Sequence, residues 1–146
     1  FQTLKLPKTP DCLVCGDAPK ITTLQESGHY CSDEEFIPLS EEEKIDALQL
    51  AAQMQSSNPP LLIDVRTPVE QQVSQIPGAV SIPYEQLNNH LAGLQPEQSI
   101  VVFCRTGKRS ARALNLLRQA GYKHVQNLTG GINAWVQQVS PQSLQY

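Results

Sequence analysis

Of the four cysteines in this 146-residue chain, one stands among residues that can make it reactive. Cys104 is followed within five positions by Arg105, Lys108 and Arg109, with Thr106, Gly107 and Ser110 between and after them. A nucleophilic sulfur acts as its thiolate, and nearby cations and a helix N-terminus both favour that form. Ile100-Val101-Val102-Phe103 precedes the cysteine and has the composition of a strand. A helical pattern begins at about Ser110. A loop between strand and helix can curl its N–H groups inward into an anion cradle. Gly107 opens backbone conformations closed to other residues, and Thr106 and Ser110 add hydroxyl donors. The expected picture is a sulfur anion at the mouth of a tight, positively polarised turn. A cysteine ending a strand can also be no more than a small buried hydrophobe.

The length of the loop limits its guest. Cysteine phosphatases space their cysteine and arginine by five residues around a tetrahedral phosphate. Here Arg109 follows Cys104 after four residues, and Ser110 occupies the phosphatase position. A turn one residue shorter suits a single sulfur atom carried as a persulfide.

Alternating elements would position this loop. Ser40-Glu41-Glu42-Glu43 reads as a capping box, with Ile45, Leu48, Ala51 and Ala52 following at helical spacing. Asn58-Pro59-Pro60 ends that helix. Leu61 to Val65 is a short apolar run like a buried parallel strand. Thr67-Pro68-Val69-Glu70 starts a second helix with Pro at its first position. Ala79 to Ile82 is another short strand, and a brief helix covers Tyr84 to His90. The helix from Ser110 to Ala120 places Ala113, Leu116, Leu117 and Ala120 on one face, and Gly121 stands where a left-handed cap belongs. Val125 to Leu128 is the last strand, and Ile132 to Val139 the last helix. Short strands alternating with helices predict an α/β fold, a parallel sheet covered on both faces. Ligands of such sheets bind outside the carboxyl ends of the strands, where Cys104 falls.

Composition narrows the classes further. A net charge of −3 argues against general nucleic-acid binding. The charge is uneven: residues 33–43 hold six acids and no base, and residues 104–112 four bases and no acid. No apolar run is long enough to span a membrane. The start, Phe1-Gln2-Thr3, reads as a cut inside a longer protein. Cysteines with a metal or reactive role, rather than a disulfide frame, fit a cytoplasmic protein. Asp64 and Arg66 end a strand at the catalytic edge. They suit either an ion pair orienting the loop or an ordinary bridge closing the strand. Trp135 reads as core, and His29, His90 and His124 lie in no motif.

Four stretches together resemble one known family. Cys104-Arg105-Thr106-Gly107-Lys108-Arg109-Ser110 resembles the active-site loop of rhodaneses. Asp64-Val65-Arg66-Thr67-Pro68-Val69-Glu70 is similar to their Asp-Val-Arg box, and Ile76-Pro77-Gly78-Ala79-Val80-Ser81-Ile82-Pro83 to the motif after it. Thr129-Gly130-Gly131-Ile132-Asn133-Ala134-Trp135 resembles their C-terminal signature. Gln75 and Gln71 depart from the family's usual His and aromatic residue. The resemblance implies a five-stranded parallel sheet with helices on both faces, over residues 36–146. It implies a ping-pong sulfurtransferase in which Cys104 carries the sulfur and residues 105–110 hold the substrate, with no cofactor. A non-enzymatic rhodanese-like interaction module is the alternative, and a cysteine phosphatase or arsenate reductase a more distant one.

Residues 1–35 read differently. Cys12-Leu13-Val14-Cys15 is a Cys-x-x-Cys knuckle, half of a tetrahedral zinc site, and Cys31 is a possible third ligand. A redox or inert pair is also compatible with the spacing. Cys12 to Ile21 resembles the final stretch of adenylating enzymes of the MoeB/ThiF type, where two such knuckles share one zinc. This implies a partly irregular remnant of an adenylating domain, with zinc possible in a full-length protein. The implied partners are a sulfur donor, thiosulfate or a cysteine desulfurase, and a ubiquitin-like sulfur-carrier protein. The implied pathways include molybdopterin synthesis and tRNA thiolation.

Overall fold

The structure, a computed structural model, describes residues 9–12, 14, 16–20 and 38–142. The chain divides into two units, residues 1–35 and 36–146. Among the described residues of the first unit there are turns but no helix or strand.

In the second unit five strands form one parallel sheet. They are β1 (Lys44–Ile45), β2 (Leu61–Asp64), β3 (Val80–Ser81), β4 (Ile100–Phe103) and β5 (Val125–Leu128). Their order across the sheet is β1-β5-β4-β2-β3, which places β4 at the centre. Every pairing is parallel. The helices are α1 (Ala47–Met54), α2 (Pro68–Gln71), α3 (Leu87–His90), α4 (Lys108–Gln119) and α5 (Gly131–Gln138).

The pleat assigns the core residues. Successive side chains of a strand point to opposite faces. Ile63, Ile100 and Val102 therefore pack with Leu87 of α3 and with Ala113, Leu114 and Leu117 of α4. Leu62, Val101 and Phe103 pack on the other face with Leu50 of α1 and with Ile132, Trp135 and Val136 of α5. Trp135 is buried, as expected.

The start of the second unit departs from the periodicity. Ser40 and Glu43 do form a capping box, but it caps only a 3-10 turn over Glu41–Glu43. The chain then extends as β1 and pairs with β5, Lys44 beside Asn127 and Ile45 beside Leu128. A second box, Asp46 with Gln49, starts α1. Sheet pairing overrides helical spacing at Ile45, and Leu48 is exposed while Ala47 and Leu50 are buried. In α4 the expected Ala113 and Leu117 are buried, joined by Leu114, while Leu116 is half-buried and Ala120, just past the helix, is exposed.

Asp64, the last residue of β2, and Arg66 form a buried ion pair. Arg66 Nε donates to both carboxylate oxygens at 3.0 and 3.1 Å, and Nη2 to Oδ2 at 2.7 Å. The same guanidinium donates to the Glu70 carbonyl at 3.2 Å and the Ser74 carbonyl at 2.7 Å. It lies 5.9 Å from the centre of the Phe103 ring. Arg66 is fully buried, so the pair closes the strand and holds the backbone around α2. Gln71, at the departure from the family pattern, donates its amide to the Arg66 carbonyl at 3.0 Å. Removing one partner of a buried pair strands the other charge. Asp64→Ala should therefore cost about 3–5 kcal/mol in urea unfolding. A loss below ~1 kcal/mol would show that Arg66 is compensated without Asp64.

Candidate active site

The sulfur lies deeper than the sequence suggests. Cys104 follows β4 directly and continues its alternation, on the same face as Ile100 and Val102. Its side chain therefore points toward α4, and only 3% of the residue is exposed. It forms the floor of the loop rather than its mouth. Three donors converge on it there. The Gly107 N–H lies 3.2 Å from Sγ, and the Ser110 N–H and hydroxyl each lie 3.4 Å away. A sulfur with three donors aimed at it is placed as an acceptor, and an anionic sulfur gains most from them.

Each donor has a structural cause. Helix α4 starts at Lys108, two residues earlier than expected, with Gly107 as its N-cap. The Ser110 amide is thus a first-turn N–H with no partner inside the helix. Gly107 takes φ +94°, a left-handed conformation that L side chains rarely adopt. Its carbonyl accepts from Ala111 at 3.1 Å and from the Asn127 side-chain amide at 3.2 Å. Asn127 is buried on β5, beneath the loop.

Helix α5 holds the other end of the loop. The Ile132 N–H donates to the Cys104 carbonyl at 2.9 Å, and the Asn133 N–H to the Arg105 carbonyl at 3.2 Å. Peptide planarity then turns the N–H groups of Arg105 and Thr106 away from α5. Such an approach needs a bare backbone. A Cβ on Gly131 would overlap the Cys104 carbonyl oxygen and lie 2.6 Å from the Arg105 carbonyl carbon.

Above the sulfur is an open depression of about 370 Å³, lined by Cys104, Arg105, Thr106, Lys108, Arg109, Glu70 and Arg112. Gly107 and Ser110 are buried and serve the sulfur from below. The structure thus gathers residues 104–110 around one point. Asp64 and Arg66 stand apart from it, joined through α2.

Sequence reasoning did not single out Glu70, Arg112 or Asn127 as site residues. Glu70 was explained by its capping box, which exists: its carboxylate accepts from the Thr67 N–H and hydroxyl, both at 2.8 Å. The same oxygen accepts from Arg109 Nη1 at 2.8 Å. The pair ties the Asp-Val-Arg segment to the loop. Burial resists ionisation of Glu70, but the bonds from Arg109 and Thr67 outweigh it and lower its pKa from 4.5 to about 2. The bond that Arg109 donates to Glu70 in turn raises the pKa of Arg109.

In the first unit, the Cys12 N–H donates to the Thr9 carbonyl at 3.1 Å, and the Gly16 N–H to the Cys12 carbonyl at 2.9 Å. Cys15 and Cys31 lie outside the described residues. Among the described residues, no three His, Cys, Asp or Glu side chains gather as a metal site would require.

Comparisons with known proteins bear on the fold as a whole. The family model for the rhodanese-like domain matches residues 46–138. The probable adenylyltransferase/sulfurtransferase MoeZ of Mycobacterium tuberculosis is 33% identical over all of this chain, which covers 37% of MoeZ. The chain thus spans about a third of that relative's length. A sulfurtransferase of Allochromatium vinosum is 35% identical over 67% of the chain and 92% of its own length. The solved structure of the human single-domain sulfurtransferase TSTD1 superposes with a TM-score of 0.61. It is 28% identical, over 66% of this chain and 96% of its own.

The Glu70–Arg109 pair has a pH signature. Its carboxylate pKa is lower in the folded chain, so its stabilisation is full above about pH 4.5 and is lost as pH falls toward 2. Both groups are partly exposed, so the pair is worth at most ~1 kcal/mol. Glu70→Gln should be less stable than the parent at neutral pH by that amount. Urea midpoints followed downward in pH should converge. A gap that stays constant to the acid limit would mean the carboxylate charge contributes nothing.

Proposed function

The chain belongs to the rhodanese-like family, and we propose that it is a rhodanese-type sulfurtransferase that carries sulfur as a Cys104 persulfide. One observation carries this reading: the Gly107 and Ser110 amides and the Ser110 hydroxyl all aim at Sγ. Three donors fixed on one buried sulfur form an oxyanion-hole-like device for a sulfur anion.

The chemistry is a pair of displacements. The Cys104 thiolate attacks the outer sulfur of thiosulfate; an S–S bond forms to Sγ, the donor S–S bond breaks, and sulfite leaves with the electron pair. An acceptor nucleophile then attacks the terminal sulfur and returns the Cys104 thiolate. No cofactor is needed for either step. Arg105, Thr106, Lys108 and Arg109 would contact the donor at the rim, and Gly107 and Ser110 would hold the sulfur from within. Asp64 and Arg66 would support the loop indirectly, through α2 and Glu70.

The wider setting extends the proposal. Residues 1–35 would be the last stretch of a MoeB/ThiF-type adenylating domain, with Cys12 and Cys15 as half of a zinc site completed elsewhere in a longer protein. The acceptor would be the activated C-terminus of a ubiquitin-like sulfur carrier, and the donor thiosulfate or a cysteine desulfurase persulfide. Among the described residues, no helix is long and apolar enough to cross a membrane. A phosphatase reading is disfavoured by the short loop and by Arg109, which is bound to Glu70.

Mass measurement after incubation with thiosulfate tests the proposal. The protein should gain the mass of one sulfur atom, lose it on adding cyanide, and gain nothing as Cys104→Ala. No gain together with hydrolysis of an aryl phosphate would support a phosphatase instead. Neither activity would leave an interaction module.

A further inference from the structure

The cations of the second unit are not all used alike. Lys44, Arg66, Arg109, Arg118 and Lys123 each pair with a carboxylate. Arg105 is engaged in a contact of its own. Lys108 and Arg112 have no carboxylate partner among the described residues, and both line the depression over Cys104. They are four residues apart on α4, so their side chains share a face. Like charges at this spacing repel each other. Glu70, the acid at the same rim, is committed to Arg109.

Size points the same way. The depression of about 370 Å³ falls in the range of small-molecule sites. Thiosulfate, with five heavy atoms, needs on the order of 100 Å³ when scaled from the volume of water. The depression is therefore larger than thiosulfate would fill, and Arg112 stands one helical turn farther along α4 than Lys108. The two Cα atoms are about 6 Å apart along the helix.

We infer that Lys108 and Arg112 form an outer anion subsite that selects sulfur donors bearing a carboxylate on their organic part. This rests on the sulfurtransferase reading and names its substrate class: carboxylate-bearing organic persulfides. With such a donor, the Cys104 thiolate attacks the terminal sulfur. The Sγ–S bond forms, the S–S bond of the donor breaks, and the organic thiolate leaves with the electron pair and takes a proton from water. The carboxylate is unchanged and serves only to bind and orient. Arg112 is then a specificity-determining residue.

The test compares kcat/KM for three donors: glutathione persulfide, the uncharged persulfide of 2-mercaptoethanol, and thiosulfate. Arg112→Ala should lower the preference for glutathione persulfide over the uncharged persulfide about tenfold, as expected for one charge-assisted contact. The loss should appear mainly in KM, and Arg112→Lys should restore most of it. Arg112 is exposed, and a circular dichroism melt equal to that of the parent confirms that the variant folds. Equal losses for the charged and uncharged persulfides would overturn the subsite. If the parent takes sulfur from none of the three donors, the sulfurtransferase reading itself fails.

Discussion

The proposed chemistry at this site rests on one constraint: a sulfur anion would have to be stable in a nearly buried place. Removing charge from water is costly unless fixed dipoles replace the lost hydration. The Gly107 and Ser110 amides and the Ser110 hydroxyl, at 3.2 to 3.4 Å from Sγ, are placed to do this. They cost little reorganisation during reaction, because helix α4 and the left-handed turn at Gly107 already hold them in place. The cationic rim is a second, outer layer, suited to attracting a donor rather than to holding the sulfur itself.

The loop is fixed from three sides. Helix α5 binds the carbonyls of Cys104 and Arg105 through its first N–H groups, which requires the bare backbone of Gly131. Asn127 reaches from β5 to the Gly107 carbonyl. Glu70 binds Arg109 from α2, while its own backbone carbonyl accepts from Arg66, the partner of Asp64. Three of the motifs shared with the family therefore meet physically: the Asp-Val-Arg segment, the cysteine loop and the Gly-Gly signature brace one turn. That convergence gives the resemblance a mechanical meaning.

What the sequence revealed was mostly local. Strands β2 and β4 are largely apolar runs, β3 and β5 are short mixed segments set off by turn residues, and the loop announces itself by its charges. Strand β1 was hidden because Ile45 falls at helical spacing with the residues after it, and Lys44 and Ile45 are extended only because β5 pairs with them. Glu70 was hidden because its ion pair spans 39 residues, and its nearby role as a cap was sufficient explanation. Asn127 looks like any polar residue in a strand until the loop is laid over it. The depth of the sulfur was legible in principle: Ile100, Val102 and Cys104 alternate in one register, so the cysteine had to face inward with them.

The central claim is that the loop donors stabilise the sulfur where it sits. A crystal structure of the thiosulfate-treated protein addresses it directly. The account predicts a second sulfur on Cys104, enclosed by the loop and within hydrogen-bonding distance of its amides. A second sulfur projecting into solvent, with the Gly107 and Ser110 amides turned from both sulfur atoms, would contradict it.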